Sequence, residues 1–238
     1  MKKDIVDLSR VDTVILAGGL GTRLQPILKN RPKCLALING KPFIDILIDN
    51  LIEQGLKRFI ICVGYLQEQV IQHLTCRNDC EIVFSKEYKP LGTGGALKKA
   101  QNLIKSDLYM VLNGDSFIEI NISEYIQWFR LSENDISLVV TKINNSERYG
   151  NVNIDQNGLI TSFKEKNNQS ITNIINAGVY LFKKDIYNFS SYADEFSLEF
   201  EFFPSLIEQG ISTYHCQGKF IDIGTEKSYK KSKSFFNK

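Results

Sequence analysis

The chain has 238 residues, 43% of them hydrophobic and 24% charged, with a formal net charge of +2. That length buries a full core without staples, and so small a net charge gives no field of the kind that holds nucleic acid. No apolar run approaches the roughly 20 residues needed to span a bilayer, so no membrane partner is expected and any cationic site must be local.

Taken from the start, "MKKDIVDLSRV" is interrupted by Asp4, Asp7 and Arg10, which break a signal-peptide core. Residues 1–11 read as a short N-terminal extension and 12–238 as a single domain, in a cytoplasmic protein. The five cysteines (Cys34, Cys62, Cys76, Cys80 and Cys216) are odd in number and scattered. Cys76 and Cys80 lie near His73, but nothing nearby completes a metal set, so reduced thiols are expected.

"TVILAG" reads as a buried β-branched strand ending in glycine. "KPFIDILIDNLIEQG" has apolar residues at helical spacing and Gly55 as its stop. "RFIICVG" and "CEIVFS" are strands with the helix "YLQEQVIQHL" between them, and "TGGALKKAQNLIK" is a helix before the strand "LYMVLNGD". Near-continuous apolar strands alternating with helices predict an α/β fold whose parallel sheet is covered on both faces. Past Glu119, "ISEYIQWF" is one more helix. Then come "ISLVVTKI", "GNVNID", "LITSFKEK" and "AGVYLFKK", with a hairpin turn at Asn157-Gly158. These late strands extend the same sheet. A helix is expected near "LEFEFFPSLIEQG" and a terminal one from about Thr225. "ISLVVTKI" either pairs between subunits or fills the core, leaving a homo-oligomer open.

Ligands of such sheets bind outside the carboxyl ends of the strands, where this chain places its unusual residues. "AGGLGTR" follows the first strand. Gly18, Gly19 and Gly21 permit φ > 0 and let backbone N–H groups approach an anion, with Thr22 as a hydroxyl donor and Arg23 as a planar fork for phosphate. A plain tight turn is the competing reading. The spacing fits neither the dinucleotide fingerprint nor a P-loop. Lys33, behind Pro32, can be aimed back at the same loop. Asp115 in "VLNGDS" follows a buried strand, where a charge needs compensation; it is either a Mg²⁺ ligand or a turn aspartate bonded to its own backbone. Asp222 in "KFIDIG" has a similar setting. "KPLGTGGALKKA" opens a helix, its glycines either meeting a base or anion or forming a turn capped by Thr93.

"LAGGLGTRLQP…RPK", "PLGTGGAL", "LNGDS", "FKEK", "NAGVY" and "FIDIG", in that order, resemble the motifs of the sugar-phosphate nucleotidyltransferases, over residues 12 to 229. The resemblance implies a three-layer α/β/α, Rossmann-like nucleotide-binding fold with a mixed, mostly parallel sheet of the nucleotide-diphospho-sugar transferase type. It also implies a reaction: an NTP and a sugar 1-phosphate give an NDP-sugar and pyrophosphate, with Mg²⁺. Carried over by match, Arg23 and Lys33 contact the reacting phosphates. Leu16, Gly18, Gly19, Gly21, Thr22, Gly92, Thr93, Gly94, Asn113 and Gly114 bind the nucleotide. Glu165, Lys166, Asn176 and Gly178 line the sugar-phosphate pocket, and Asp115 and Asp222 hold the metal. Glu199 either touches a sugar hydroxyl or lies on a helix surface.

"PLGTGGAL" is similar to the guanylyl-transferring members. "RYGNV", "FSLEFEFFPSL" and "FIDIGTEKSY" resemble those acting on D-glycero-α-D-manno-heptose 1-phosphate, which implies GTP as the nucleotide and GDP-heptose for capsule or surface glycans as the product. Mannose or another hexose 1-phosphate with a different NTP is the enzymatic alternative; a sugar-nucleotide-binding regulator without activity is the non-enzymatic one. Leu37 stands where the family often has proline. The β-helix of many longer members is missing, an expectation against a bifunctional acetyltransferase.

Overall fold

The computed structural model describes residues 6–143, 149–164, 173–184 and 189–237. The strands in chain order are β1 (Asp12–Leu16), β2 (Leu37–Ile38), β3 (Lys41–Pro42), β4 (Arg58–Val63), β5 (Glu81–Lys86), β6 (Leu108–Asn113) and β7 (Ser116–Ile118). They continue with β8 (Ile136–Lys142), β9 (Asn151–Ile154), β10 (Ile160–Lys164), β11 (Ile174–Lys183), β12 (Ser212–His215) and β13 (Phe220–Asp222). The helices are α1 (Gln25–Leu28), α2 (Phe43–Glu53), α3 (Gln67–Leu74), α4 (Gly92–Ala100), α5 (Ile122–Leu131), α6 (Phe203–Ser205) and α7 (Glu226–Phe235). Among them, none is long and apolar enough to cross a membrane.

A nine-stranded mixed sheet organises the chain, its spine running β10-β9-β11-β6-β1-β4-β5. β6, β1, β4 and β5 pair in parallel, as the early strand–helix alternation predicts. β11 runs antiparallel to β6, β8 and β9, so the later strands do extend the same sheet. β8 lies between β11 and β12 with all but its last residue buried, which settles "ISLVVTKI" as core.

Successive side chains of a strand face opposite sides, and the core divides accordingly. Ile15, Phe59, Ile61 and Met110 pack on one face with α2, α3 and α5. Val14, Ile60, Cys62 and Val111 pack on the other with α4 and residues 196–206. This is a three-layer α/β/α arrangement. Val6, Leu8 and Val11 are buried in the first layer, so the segment entering β1 packs on the domain. His73 pairs with Asp45 at 2.7 Å, and Cys76 is exposed.

Three local expectations are corrected. The long helix expected at "LEFEFFPSLIEQG" is a π-helix over Leu198–Phe202, a single α turn over Phe203–Ser205 and a 3₁₀ turn over Ile207–Gln209. The helix at "TGGALKKAQNLIK" begins at Gly92 and ends at Ala100, followed by a 3₁₀ turn. Thr93 does not cap it. Leu91 holds that position without a side-chain bond, and the free N–H groups of Gly94 and Gly95 donate to the Phe196 carbonyl at 2.9 and 3.3 Å. A carbonyl from another segment does what a cap would do.

The α4 glycines serve this packing. A Cβ on Gly95 would lie 2.1 Å from the Asp194 carbonyl oxygen, and one on Gly94 2.2 Å from the Phe196 ring. Gly95→Ala must displace backbone and is expected to cost about 1–3 kcal/mol. Gly19→Ala, where a Cβ meets nothing within 4 Å, should stay within about 0.5 kcal/mol. Thermal or urea unfolding of the pair checks this; equal stabilities would contradict it.

Candidate active site

The parallel register sets Leu16 beside Cys62 and Asn113, so the loops leaving β1, β4 and β6 emerge together. The Gly114 N–H donates to the Leu16 carbonyl at 2.9 Å, and a Cβ on Gly114 would sit 2.8 Å from that oxygen. This close approach brings "GDS" against the glycine loop. β13 then pairs antiparallel with β7 and sets Asp222 opposite Ser116, the neighbour of Asp115. The Ile223 N–H donates to the Asp115 carbonyl at 2.8 Å. Two aspartates more than a hundred residues apart are thus joined by one short sheet.

Of the three glycines after β1, Gly21 alone has positive φ, +61°. Gly18 and Gly19 do not use the positive φ that glycine permits. Gly18 lies against a neighbour instead: a Cβ there would sit 2.8 Å from Glu87 Oε1, so any larger residue must shift that carboxylate. A Cβ on Gly21 would lie 3.0 Å from Lys33 Cβ, so Lys33 does return beneath the loop. The lysine is 13% exposed and its ammonium is paired with Asp115. A turn aspartate bonded to its own backbone is therefore not what the structure presents.

Three cavities surround these groups. The first, of about 560 Å³, is lined by Leu16, Gly18, Gly19, Gly92, Thr93 and Asn113, and also by Tyr65, Glu87 and Tyr88. The second, of about 460 Å³, is lined by Arg23, Asn113, Ser116, Tyr149, Asn176, Gly178, Glu199 and Asp222. The third, of about 250 Å³, is lined by Leu16, Gly19, Gly21, Thr22, Arg23, Lys33, Gly114 and Gly224. Asp115 lines all three. Gly94 lines none of them, being packed under Phe196, and its expected place at the base is corrected. Glu165 and Lys166 lie outside the described residues.

The second cavity is shaped by a bulge. The pairing of β11 with β8 slips between Asn176 and Tyr180, Gly178 has φ +73°, and its N–H donates to Asn176 Oδ1 at 2.9 Å. Bulges re-aim side chains beside active sites, and this one turns the "NAG" segment toward Asp115. Glu199 sits on the π-helix, facing the cavity and not a helix surface. It accepts from Thr93 at 2.6 Å, Ser197 at 3.0 Å and Tyr180 at 3.2 Å.

Asp115 and Asp222 can be tested as a metal pair. Asp222 accepts from the Tyr149 hydroxyl at 2.6 Å and the Gly224 N–H at 2.7 Å. A Cβ on Gly224 would lie 2.7 Å from Asp222 Oδ2, 3.5 Å from Lys33 Nζ and 3.8 Å from Arg23 Nη2. Glycine there keeps open the space that these charges share. Carboxylate oxygens beside a phosphate-sized opening suit a hard, six-coordinate cation such as Mg²⁺.

Two residues escaped the sequence reading. Tyr149 stood inside a quoted motif without a role. Glu87, just past β5, is 7% exposed; burial pushes its carboxyl up to about 7, against the pull of the Leu91 backbone and Lys99. A carboxylate ending a strand that neighbours β4 was a signal of the same kind that marked Asp115.

A family model described as nucleotidyl transferase matches residues 12–238. The D-glycero-alpha-D-manno-heptose 1-phosphate guanylyltransferase of Campylobacter jejuni is 38% identical over 222 residues, 92% of this chain and 97% of that protein. The enzyme of that name from Aneurinibacillus thermoaerophilus is 32% identical over 224 residues, 93% and 96%. The crystal structure of HddC from Yersinia pseudotuberculosis superposes with a TM-score of 0.85 at 35% identity, over 95% of this chain and 100% of that one. Its complex with GMP-PN gives 0.84. Matched across the sheet and the strand-end loops alike, the chain belongs to the nucleotidyl transferase family.

Proposed function

We propose that this protein is a cytoplasmic guanylyltransferase that joins GTP to D-glycero-α-D-manno-heptose 1-phosphate, giving GDP-heptose and pyrophosphate. One observation carries the reading: Asp115 stands where three cavities meet. They have the sizes and linings for a nucleoside, a sugar phosphate and a chain of phosphates.

The chemistry follows from that arrangement. A phosphate oxygen of the sugar phosphate attacks the α-phosphorus of GTP. The bond from that phosphorus to the bridging oxygen breaks, and pyrophosphate leaves with the electron pair. The nucleophile is already an anion, so no general base is needed. What remains is alignment and charge neutralisation. Arg23 and the loop around Gly21 hold the outer phosphates, and Lys33 leaves Asp115 for the reacting ones. Asp115 and Asp222 would hold Mg²⁺, which supplies charge neutralisation on the phosphates. Asn176 and Glu199 take the sugar side.

For the base, the buried Glu87 carboxylate suits guanine, whose edge offers adjacent N–H donors. Only the ionised form accepts two of them. Its carboxyl ionises near pH 7, so acid removes the acceptor. KM for GTP is expected to rise about tenfold between pH 8 and pH 6, the span over which such a group loses most of its charge. Glu87→Gln should raise KM at pH 8 and lose that part of the pH dependence, the nucleotide's own titration remaining in both proteins. Matching profiles would remove Glu87 from the base site.

The reading is tested by pyrophosphate release with Mg²⁺, crossing GTP, ATP, CTP, UTP and dTTP with heptose, mannose, glucose and N-acetylglucosamine 1-phosphates. A maximum at GTP with heptose 1-phosphate supports it. A maximum elsewhere keeps the reaction and overturns the substrates, and no release with any pair overturns the enzyme.

A further inference from the structure

The loop that opens α4 faces two cavities at once. At Gly92 and Thr93 it lines the first, but the Thr93 hydroxyl points toward the second, donating to Glu199 Oε2 at 2.6 Å and accepting from the Leu198 N–H at 2.9 Å. The two segments are clamped along their length. Gly94 N–H donates to the Phe196 carbonyl at 2.9 Å, and Phe196 N–H donates to the Leu91 carbonyl at 3.0 Å. Ser197 adds a second donor on Oε2 at 3.0 Å. On Oε1 the single donor among the described residues is Tyr180, at 3.2 Å, whose own oxygen accepts from Asn176 Nδ2 at 3.0 Å.

A carboxylate has about four acceptor positions. Among the described residues, protein donors fill both on Oε2 and one on Oε1, so the remaining one belongs to the oxygen nearer Asn176. Glu199 lies on a π-helix, a geometry often found at functional sites. Its aim thus depends on a hydroxyl held by the nucleotide-side loop.

We propose that Thr93 is a positioning residue for the sugar half of the site. Its hydroxyl fixes Glu199 so that the open position on Oε1 accepts from a sugar hydroxyl. The inference rests on the two-substrate reading above and adds to its sugar side a residue on the nucleotide-side loop. The threonine is itself held by the clamp, since its oxygen accepts from the Leu198 N–H while its proton goes to Oε2.

The experiment compares wild type, Thr93→Val, which removes the hydroxyl at nearly constant shape, and Thr93→Ser, which keeps it. Steady-state kinetics vary each substrate, and calorimetry titrates heptose 1-phosphate with and without a non-hydrolysable GTP analogue. Thr93→Val should raise KM for the sugar phosphate about tenfold, the scale of one hydrogen bond to a charged group, and shift kcat and KM for GTP by less than about twofold. Thr93→Ser should restore the wild-type value, and the calorimetric affinity for heptose 1-phosphate should weaken about tenfold in Thr93→Val but not in Thr93→Ser, whether or not the analogue is present. Adding Glu199→Gln to Thr93→Val should cost little more than Glu199→Gln alone. An effect on KM for GTP alone, equal effects on both, no effect, or failure of serine to rescue would each overturn the proposal. Wild type that releases no pyrophosphate would overturn the parent reading instead; the titrations need no turnover and decide the positioning separately.

Discussion

Lys33→Ala is expected to lower kcat by at least ~100-fold, the scale of removing one preorganised charge from a transition state, with little change in thermal stability. The structure separates the two effects. Alanine keeps the Cβ that packs against Gly21, and Cys34 and Leu35 still bury the turn that follows Pro32. What is lost is the ammonium and the methylene stem that carries it. Its partner, Asp115, is 41% exposed on its side chain, so water takes up the freed carboxylate and no buried charge is stranded. In the folded protein this lysine spends its charge on Asp115; bound phosphates compete for it, and the charge follows the group carrying more negative charge. Substrate KM should move less than kcat, because the reacting phosphorus gathers charge only on the way to the transition state. Lys33→Arg should not rescue. A planar fork is wider than an ammonium and must pass beneath Gly21, where contact is already close. A wild-type rate in Lys33→Ala would remove the residue from the reaction.

Much of this site was legible because it sits where strand periodicity says a site must be. Buried runs ending in "AGG" and "NGDS" located the strand ends, and the parallel reading placed them on one edge. The pairing that joins Asp222 to Asp115 was not legible, since β7 and β13 are three residues each. Runs so short carry too little pattern to fix a partner. The glycines show a second limit. Sequence identifies where a Cβ is unwelcome but not why: Gly21 needs its φ, Gly18 makes room for Glu87, and Gly94 and Gly95 make room for residues 194–196. The segment expected as one helix at 198–210 breaks into three pieces. Pro204 stands inside it with no N–H to donate, which interrupts a continuous α-helical ladder, a local signal the expectation of one helix passed over.

Asp115→Asn and Asp222→Asn are each expected to cost at least ~100-fold in turnover, the scale set by removing one group that stabilises developing charge, and the informative result is the double variant. If both carboxylates serve one cation, removing the second after the first takes away little that still functions, and the double variant should fall near the worse single one. Independent roles would instead multiply. The single variants should also differ in kind. Asp222 accepts from Tyr149, Gly224 and Ser228; an asparagine must turn its amine toward one of these donors, so this variant loses orientation as well as charge. High Mg²⁺ should recover only part of its rate. Asp115→Asn instead frees Lys33 from its ion pair, which places an unneutralised ammonium beside the metal position and raises the Mg²⁺ requirement further. Titrating Mn²⁺ binding by electron paramagnetic resonance, with the GTP analogue present and no turnover, should rank wild type above Asp222→Asn above Asp115→Asn. A double variant slower than either single by the full product of their losses would show that the two aspartates do not share an ion, although one sheet joins them.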